Sequence, residues 1–138
     1  WSWFVDDSDG RVTFRSFSNT FDTGWFLPLG SWTHLALVQD ASAATLYADG
    51  EPVATGPPVA FDAGADAEVA IGVLSETNGH SSFLGGLDEV RIERVARSAA
   101  WIAAACANQT DPYGFAAIGP RETPAARRGA YFQRMRTD

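Results

Sequence analysis

Two short runs of alternating side chains, joined by Asp49-Gly50, restrict the fold of this chain more than any other feature. Residues 45–48 alternate an apolar side chain with a polar or aromatic one, and residues 51–55 follow the Asp-Gly pair. A period of two residues is typical of a β-strand, because successive side chains point to opposite faces. Asp-Gly readily adopts the left-handed backbone that a tight hairpin turn needs. The sequence therefore predicts a β-hairpin across residues 45–55.

The segments on either side of the hairpin carry the same period. In residues 32–38 both sets of alternating side chains are largely apolar, which predicts a strand packed on both faces. Residues 69–72 and 83–92 repeat the pattern, and Gly85-Gly86 indicates a bend or bulge in the later segment. These strands predict a layered antiparallel β domain, which exposes sheet faces and loops rather than a helical cleft.

The other segments complete an almost all-β pattern. The further strands that alternation predicts cover residues 1–5, 11–17, 67–74, 83–95 and 113–118. Residues 25–29 are apolar but contain a proline, which cannot donate to a sheet ladder. One helix is predicted, over residues 97–106. Ser98 can cap its first turn, and Trp101 and Ile102 belong to an apolar stripe at helical spacing.

The charges are distributed unevenly along the chain. All ten basic residues are arginines, and five of them follow Pro120. Residues 1–120 carry five arginines against fifteen acidic residues, a net charge of −10, whereas residues 121–138 carry a net charge of +3. An acidic body repels phosphate groups, so no nucleic-acid partner is expected. Acidic loops can instead hold cations or keep a domain soluble.

The length of 138 residues is sufficient for one globular domain. We expect that domain over residues 1–119, followed by a disordered linker or tail over 120–138, where Ala, Arg and Gly are frequent. No run approaches the roughly 18 apolar residues of a membrane span, so no membrane insertion is expected. The chain opens at Trp1 without an initiator Met, which we interpret as a piece of a longer protein. Cys106 is the single cysteine, so no disulfide can form within the chain.

Four stretches are distinctive in order and spacing: WTHLALVQD at 32–40, LYADG at 46–50, IG at 71–72 and FLGGLDEVRI at 83–92. Together they resemble the laminin G-like jelly-roll modules of the concanavalin A-like lectin/glucanase superfamily, and the similarity extends over residues 30–119. This resemblance implies an all-β, two-sheet antiparallel jelly-roll sandwich with one short C-terminal helix. Members usually have one or two further strands before the position of Trp1, so the resemblance also implies that the first strands are missing.

The resemblance leaves several functions open, because the superfamily includes lectins, adhesion modules, glycosidases and lyases. Our leading hypothesis is a non-catalytic recognition or adhesion module of a larger secreted or surface protein, which binds carbohydrate or protein outside the cell or at its surface. A fragment of a glycoside hydrolase or lyase and a purely structural spacer are the alternatives. The ligand and the oligomeric state do not follow from the sequence.

The catalytic alternative depends on one acidic motif. Laminarinases and lichenases of this superfamily carry Glu-x-Asp-x-Glu on one strand, and the similar stretch here is Glu89-Val-Arg-Ile-Glu93. A strand would align both glutamates with Arg91 between them. A cation at that position favours ionised carboxylates and hinders the general acid that a retaining glycosidase needs. We therefore expect no glycosidase activity.

Asp88 is the candidate metal ligand. In the predicted strand it shares a face with Val90 and Ile92, where a carboxylate needs hydrogen-bond donors or a cation. In the related jelly rolls, an aspartate at the start of this strand often helps to hold a structural calcium ion. Hydrogen bonding to a neighbouring loop is the alternative, because calcium requires six to eight oxygen ligands and the upstream strand that should contribute is expected to be missing.

Four residues are candidates for ligand binding. Glu76 and Asn78 lie in the loop where pentraxin-like relatives gather calcium for ligand binding, although one acid cannot hold the ion alone. Trp25 and Tyr47 are candidate aromatic platforms, since exposed Trp and Tyr side chains stack on sugar rings. Ordinary packing is the alternative for both aromatic residues.

Overall fold

The structure is a computed structural model. It describes residues 2–5, 9–16, 18–60, 70–72, 82–116 and 119. These residues form six strands: β1 (Ser2–Val5), β2 (Arg11–Arg15), β3 (Thr20–Phe26), β4 (Leu35–Gln39), β5 (Ala44–Ala48) and β6 (Glu51–Gly56). Two helices follow among the described residues, α1 (Ala99–Thr110) and the single turn α2 (Pro112–Phe115). Strands therefore precede helices along the chain.

The six strands form two antiparallel sheets, with strand orders β1-β2-β3 and β4-β5-β6. Adjacent strands in each sheet are consecutive in sequence, so each sheet is a meander made by short antiparallel connections. β3 contacts β6 and so joins one sheet to the other. This arrangement confirms the predicted all-β, two-sheet antiparallel sandwich with a short helix towards the C-terminus.

The hydrophobic core contains residues from both sheets. Its buried members are Val12, Phe14, Phe21, Ala44, Leu46 and Val59. In β5 burial alternates, and every second side chain from Ala44 to Ala48 is buried while the two between them are half-exposed. The inward-facing side chains of β5 therefore fill the space between the sheets, and Thr45 and Tyr47 lie on the opposite face.

The hairpin between β5 and β6 forms as its Asp-Gly pair predicts. Asp49 and Gly50 both adopt left-handed backbone, with φ of 49° and 86°, as a type I′ turn requires. The turn is fastened to the chain before β4, because the Asp49 amide donates to the His34 carbonyl at 2.8 Å and the Asp49 carboxylate accepts from the His34 amide at 2.9 Å. The predicted hairpin is confirmed.

Helix α1 packs against this turn. A Cβ added at Gly50 would lie only 3.2 Å from the Cα of Ala103, so the glycine allows the helix backbone to approach the hairpin closely. Ile102 and Cys106 are the buried side chains of the helix, and the Ser98 side chain accepts a hydrogen bond from the Trp101 amide. The predicted helix and its cap are confirmed, although α1 begins two residues later and ends four residues later than expected.

Four predicted elements differ from the structure in their described parts. Residues 83–95 form neither strand nor helix, and the expected closing strand over 113–118 is replaced in its described part by α2. The strand expected from residue 32 begins only at Leu35, and Trp32 is exposed. β3 was not predicted at all. The expected strand over 67–74 falls mostly outside the described residues, and its described part, residues 70–72, is not a strand.

The structure shows why residues 83–95 do not form a strand despite their alternation. Glu89 adopts left-handed backbone with φ of 51°, and its amide donates to the Asp88 carboxylate at 2.8 Å instead of to a neighbouring strand. A strand also requires a ladder partner, and no described segment pairs with this one. The alternation of apolar and polar residues in this segment is therefore not sufficient to form a strand.

Candidate functional site

The outer face of the sheet β4-β5-β6 presents one of the predicted aromatic residues. Tyr47 lies next to Leu46 and Ala48 in sequence, and because both of these are buried, Tyr47 points away from the core. It is half-exposed and stands opposite Ala36 of β4 and Pro52 of β6. Both of these cross-strand neighbours are smaller than tyrosine.

Two hydroxyl groups lie on the same face. The hydroxyl oxygens of Thr45 and Thr55 are 3.2 Å apart and form a hydrogen bond across β5 and β6. Thr45 and Tyr47 are two residues apart in one strand and so share a face. The outer face therefore combines an aromatic ring with a pair of hydroxyl groups. An aromatic ring can stack on a sugar ring, and hydroxyl groups can hydrogen-bond to the hydroxyls of the sugar.

Trp25, the second predicted aromatic platform, packs against the hydrophobic core. It lies in β3 and is half-buried. Its amide donates to the Thr23 hydroxyl at 3.1 Å, and that hydroxyl donates to the Val12 carbonyl at 2.6 Å. Trp25 and Tyr47 thus lie on different sheets, and the structure does not join them into one platform. Ligand binding by either residue stays a prediction.

A shallow, open depression of about 420 Å³ lies where three loop segments meet. Its lining comes from the β2–β3 turn, the β4–β5 turn and the segment after β6, and consists of Ser18, Asn19, Gln39, Asp40, Ala41, Pro58, Val59 and Ala60. It contains one charged side chain, Asp40. We had not predicted this surface from the sequence.

Two amide side chains hold the segment after β6 in place at this depression. Gln39 binds both main-chain groups of Val59, donating to its carbonyl at 2.8 Å and accepting from its amide at 2.7 Å. Asn19 donates to the Pro58 carbonyl at 2.7 Å and accepts from the Ala60 amide at 3.1 Å. These four bonds satisfy main-chain groups of residues 58–60 and tie this segment to both turns.

Asp40 organises the β4–β5 turn. One of its carboxylate oxygens accepts hydrogen bonds from the Ser42 hydroxyl, the Ser42 amide and the Ala43 amide, at 2.6, 2.7 and 3.0 Å. These bonds, that of the hydroxyl first, hold the pKa of Asp40 below its ordinary value. The depression therefore keeps a fixed negative charge at neutral and mildly acidic pH.

Glu89 and Glu93, the two glutamates of the catalytic alternative, form ion pairs with different arginines. Arg91 binds the Glu89 carboxylate at 2.6 Å, whereas the Glu93 carboxylate forms an ion pair with Arg97. All four side chains are exposed and belong to a segment without regular structure or to its junction with α1. The predicted Glu-Arg-Glu alignment on one strand is wrong, because there is no strand here and Glu93 has a different partner.

Asp88 is exposed rather than core-facing. Its carboxylate accepts the Glu89 amide, and its strand neighbours in the prediction, Val90 and Ile92, are exposed as well. Across the part of the chain that the structure describes, no three His, Cys, Asp or Glu side chains come together as a metal site. Asp88 thus does not gather the oxygens that calcium requires from these residues, and calcium binding there stays a prediction. Glu76 and Asn78 lie outside the described residues.

Asp9 and Asp22 are two further acidic side chains, and both form ion pairs with Arg11. Arg11 binds the carboxylates of Asp9 and Asp22, each at 2.6 Å, and its guanidinium lies 5.7 Å from the ring centre of Phe26. The hydrogen bond to Asp22, followed by that to Asp9, raises the pKa of Arg11 above its ordinary value. These carboxylates are therefore neutralised by a side chain of the domain itself.

Comparisons with known proteins give two findings. A laminin G family model, described as the concanavalin A-like lectin/glucanases superfamily, matches residues 1–103. The chain is also similar to the crystal structure of residues 221–444 of an S-layer domain-containing protein from Clostridium thermocellum, with 25% identity and a TM-score of 0.51. That similarity covers 72% of this chain and 52% of the solved one, so this chain spans about half of its length. A search of curated proteins finds no match.

Within the residues described, no helix is long and apolar enough to cross a membrane.

Proposed function

Because the chain belongs to the concanavalin A-like lectin/glucanase superfamily, we propose that it is a non-catalytic recognition module of a larger secreted or cell-surface protein and binds carbohydrate or protein. The similarity to an S-layer domain-containing protein supports a place at the cell surface. Neither similarity selects a ligand, since the same fold serves several functions. The support for a ligand class therefore comes from the surfaces of this domain.

The observation that carries the proposal is the outer face around Tyr47. It combines the half-exposed ring of Tyr47 with the hydrogen-bonded hydroxyls of Thr45 and Thr55 on a three-stranded sheet. The three strands of this sheet contain one charged residue, Glu51. A face of this kind suits a neutral, hydroxyl-rich ligand, because the ring stacks on sugar C–H groups and no charge must be desolvated. We therefore favour a neutral glycan.

The absence of catalysis is part of the same proposal. A glycosidase needs two carboxyl groups on either side of the scissile bond, one of them protonated. Glu89 and Glu93 are instead tied to Arg91 and Arg97 and are exposed. These contacts support a binding role over a hydrolytic one.

Replacing Tyr47 with alanine is expected to weaken glycan binding about tenfold, because a stacked aromatic ring contributes roughly 0.5–1.5 kcal/mol beyond its buried area. Tyr47→Phe keeps the ring, so its affinity for the glycan should stay close to that of wild type. The measurement is titration calorimetry with a neutral oligosaccharide selected on a glycan array.

Tyr113→Ala is the matched control, because Tyr113 is 93% exposed on α2 and belongs to no candidate surface. It should bind like wild type. Wild-type affinity in Tyr47→Ala would contradict binding on the sheet face. If Asp40→Asn alone loses binding, the ligand lies in the loop depression instead. A wild-type domain that binds neither glycan nor protein would contradict the function itself.

A further inference from the structure

The loop depression contains a carboxylate that the domain leaves without a cation. Asp40 lines this depression and is exposed, and one of its oxygens accepts all three of its hydrogen bonds, which come from Ser42 and Ala43. No donor or cation binds its second oxygen among the residues that the structure describes. This oxygen is therefore available to a ligand.

Other acidic side chains of the domain have an arginine partner. Four carboxylates form ion pairs within the chain: Asp9, Asp22, Glu89 and Glu93. Asp40 forms no such pair with the described residues, so a cation from outside can bind it without breaking an internal ion pair. The net charge of −10 over residues 1–120 also attracts a cationic partner towards the domain.

The rest of the lining is largely aliphatic. Four of the eight lining residues carry aliphatic side chains: Ala41, Pro58, Val59 and Ala60. Lysine and arginine cover surface of this kind with their alkyl stems while the charged end reaches a polar group. The depression thus offers both contacts that a basic side chain makes, an apolar wall for the stem and a carboxylate for the charge.

Hydrogen bonds within the domain hold the depression in shape. Gln39 and Asn19 bind main-chain groups of residues 58–60 and fix this segment to the two turns. The three bonds to Asp40 fix its carboxylate in the same way. A site whose groups are already positioned loses less conformational entropy when a ligand binds.

We propose that the loop depression binds a lysine or arginine side chain of a partner protein, with the second oxygen of Asp40 as the acceptor. The ammonium or guanidinium group donates to this oxygen, and the alkyl stem lies along the aliphatic wall. Tyr47, Thr45 and Thr55 do not line this depression, so the site is separate from the glycan-binding face. It goes beyond the function proposed above, because it gives the module a second surface whose binding depends on charge.

Other ligand classes fit this depression less well. A calcium ion requires six to eight oxygen ligands, and no three His, Cys, Asp or Glu side chains come together among the described residues. An anion is repelled by Asp40. A neutral glycan would remove water from the carboxylate without supplying an opposite charge. A basic side chain both neutralises the charge and covers the apolar wall.

Two-dimensional NMR of the full chain tests the proposal with the peptide acetyl-glycyl-arginyl-glycinamide. We expect saturable shifts of the Ser42 and Ala43 amide signals, because both amides bind the Asp40 carboxylate. The matched peptide has citrulline in place of arginine and so keeps nearly the same shape without the charge. It should bind about fivefold less tightly, the upper range for an exposed ion pair.

Variants separate the charge of Asp40 from the structure of its turn. Asp40→Asn keeps an oxygen that can accept from Ser42 and Ala43 but removes the charge, and should weaken binding of the arginine peptide about fivefold. Ser42→Ala removes one hydrogen bond and keeps the charge, so it should bind the peptide like wild type. Glu51→Gln is the matched control, because Glu51 is exposed at the start of β6 and does not line the depression.

Four outcomes would contradict the proposal. Equal affinities for the arginine and citrulline peptides would overturn it, as would a wild type without saturable shifts. Calcium chloride that shifts the same amides at a lower concentration than the peptide would assign the depression to a metal ion. Equal losses in Ser42→Ala and Asp40→Asn would show that binding depends on the shape of the turn. None of these outcomes affects glycan binding at Tyr47, which oligosaccharide titration tests separately.

Discussion

Replacing Leu46 with alanine is expected to lower the free energy of unfolding by about 2–5 kcal/mol, because the change leaves a cavity in a packed core. Leu46 is 0% exposed at the centre of β5 and lies among core residues from both sheets. A loss of that size removes a large part of the stability of a typical domain. Urea unfolding, followed by circular dichroism, measures the change.

Thr45→Ala is the control for this experiment, because Thr45 is the neighbour of Leu46 on the outer face. It removes the hydroxyl pair with Thr55 and should cost no more than about 1 kcal/mol, the usual range for a cross-strand pair. Equal losses in the two variants would contradict the assignment of inner and outer faces in β5.

Replacing Gly56 with alanine is expected to destabilise the domain by about 1–3 kcal/mol, the usual effect of overpacking. A Cβ at Gly56 would overlap the ring of Phe21, which is buried and stacks on Phe14 with ring centres 6.0 Å apart. The ring cannot move aside easily, since it belongs to the contact between β3 and β6 that joins the sheets. Thermal unfolding of both proteins measures the difference.

Two further variants separate this contact from a general effect of removing glycine. Gly119→Ala should change stability by less than about 0.5 kcal/mol, because a Cβ there meets no atom within 4 Å. Phe21→Leu should cost less in the Gly56→Ala background than alone, since a smaller side chain leaves room for the new methyl group. Additive losses would contradict direct contact between the two positions.

The local parts of the fold could be predicted from the sequence. Asp49-Gly50 encodes its left-handed turn in two adjacent residues, and Ser98 encodes the start of α1 in the same way. The position of Tyr47 on the outer face followed from its alternation with Leu46. Each of these features depends on side chains within a few residues of one another.

The missed parts depend on residues far apart in sequence. β3 contains Asp22 and Gly24, which are poor strand formers, and it forms because it pairs with β2. The loop depression depends on bonds from Asn19 to Pro58, 39 residues away. Conversely, the alternation in residues 83–95 indicates a strand that has no partner among the described residues. A single sequence does not reveal such pairings.

A combined binding and hydrolysis assay with β-glucans and other neutral glycans distinguishes a recognition module from a hydrolase. We expect saturable binding without release of reducing ends. Binding should be unchanged in Glu89→Gln and Glu93→Gln, because these carboxylates are tied to arginines away from Tyr47 in the sequence. Hydrolysis by the wild-type domain that disappears in either glutamine variant would contradict a non-catalytic function and identify a catalytic pair.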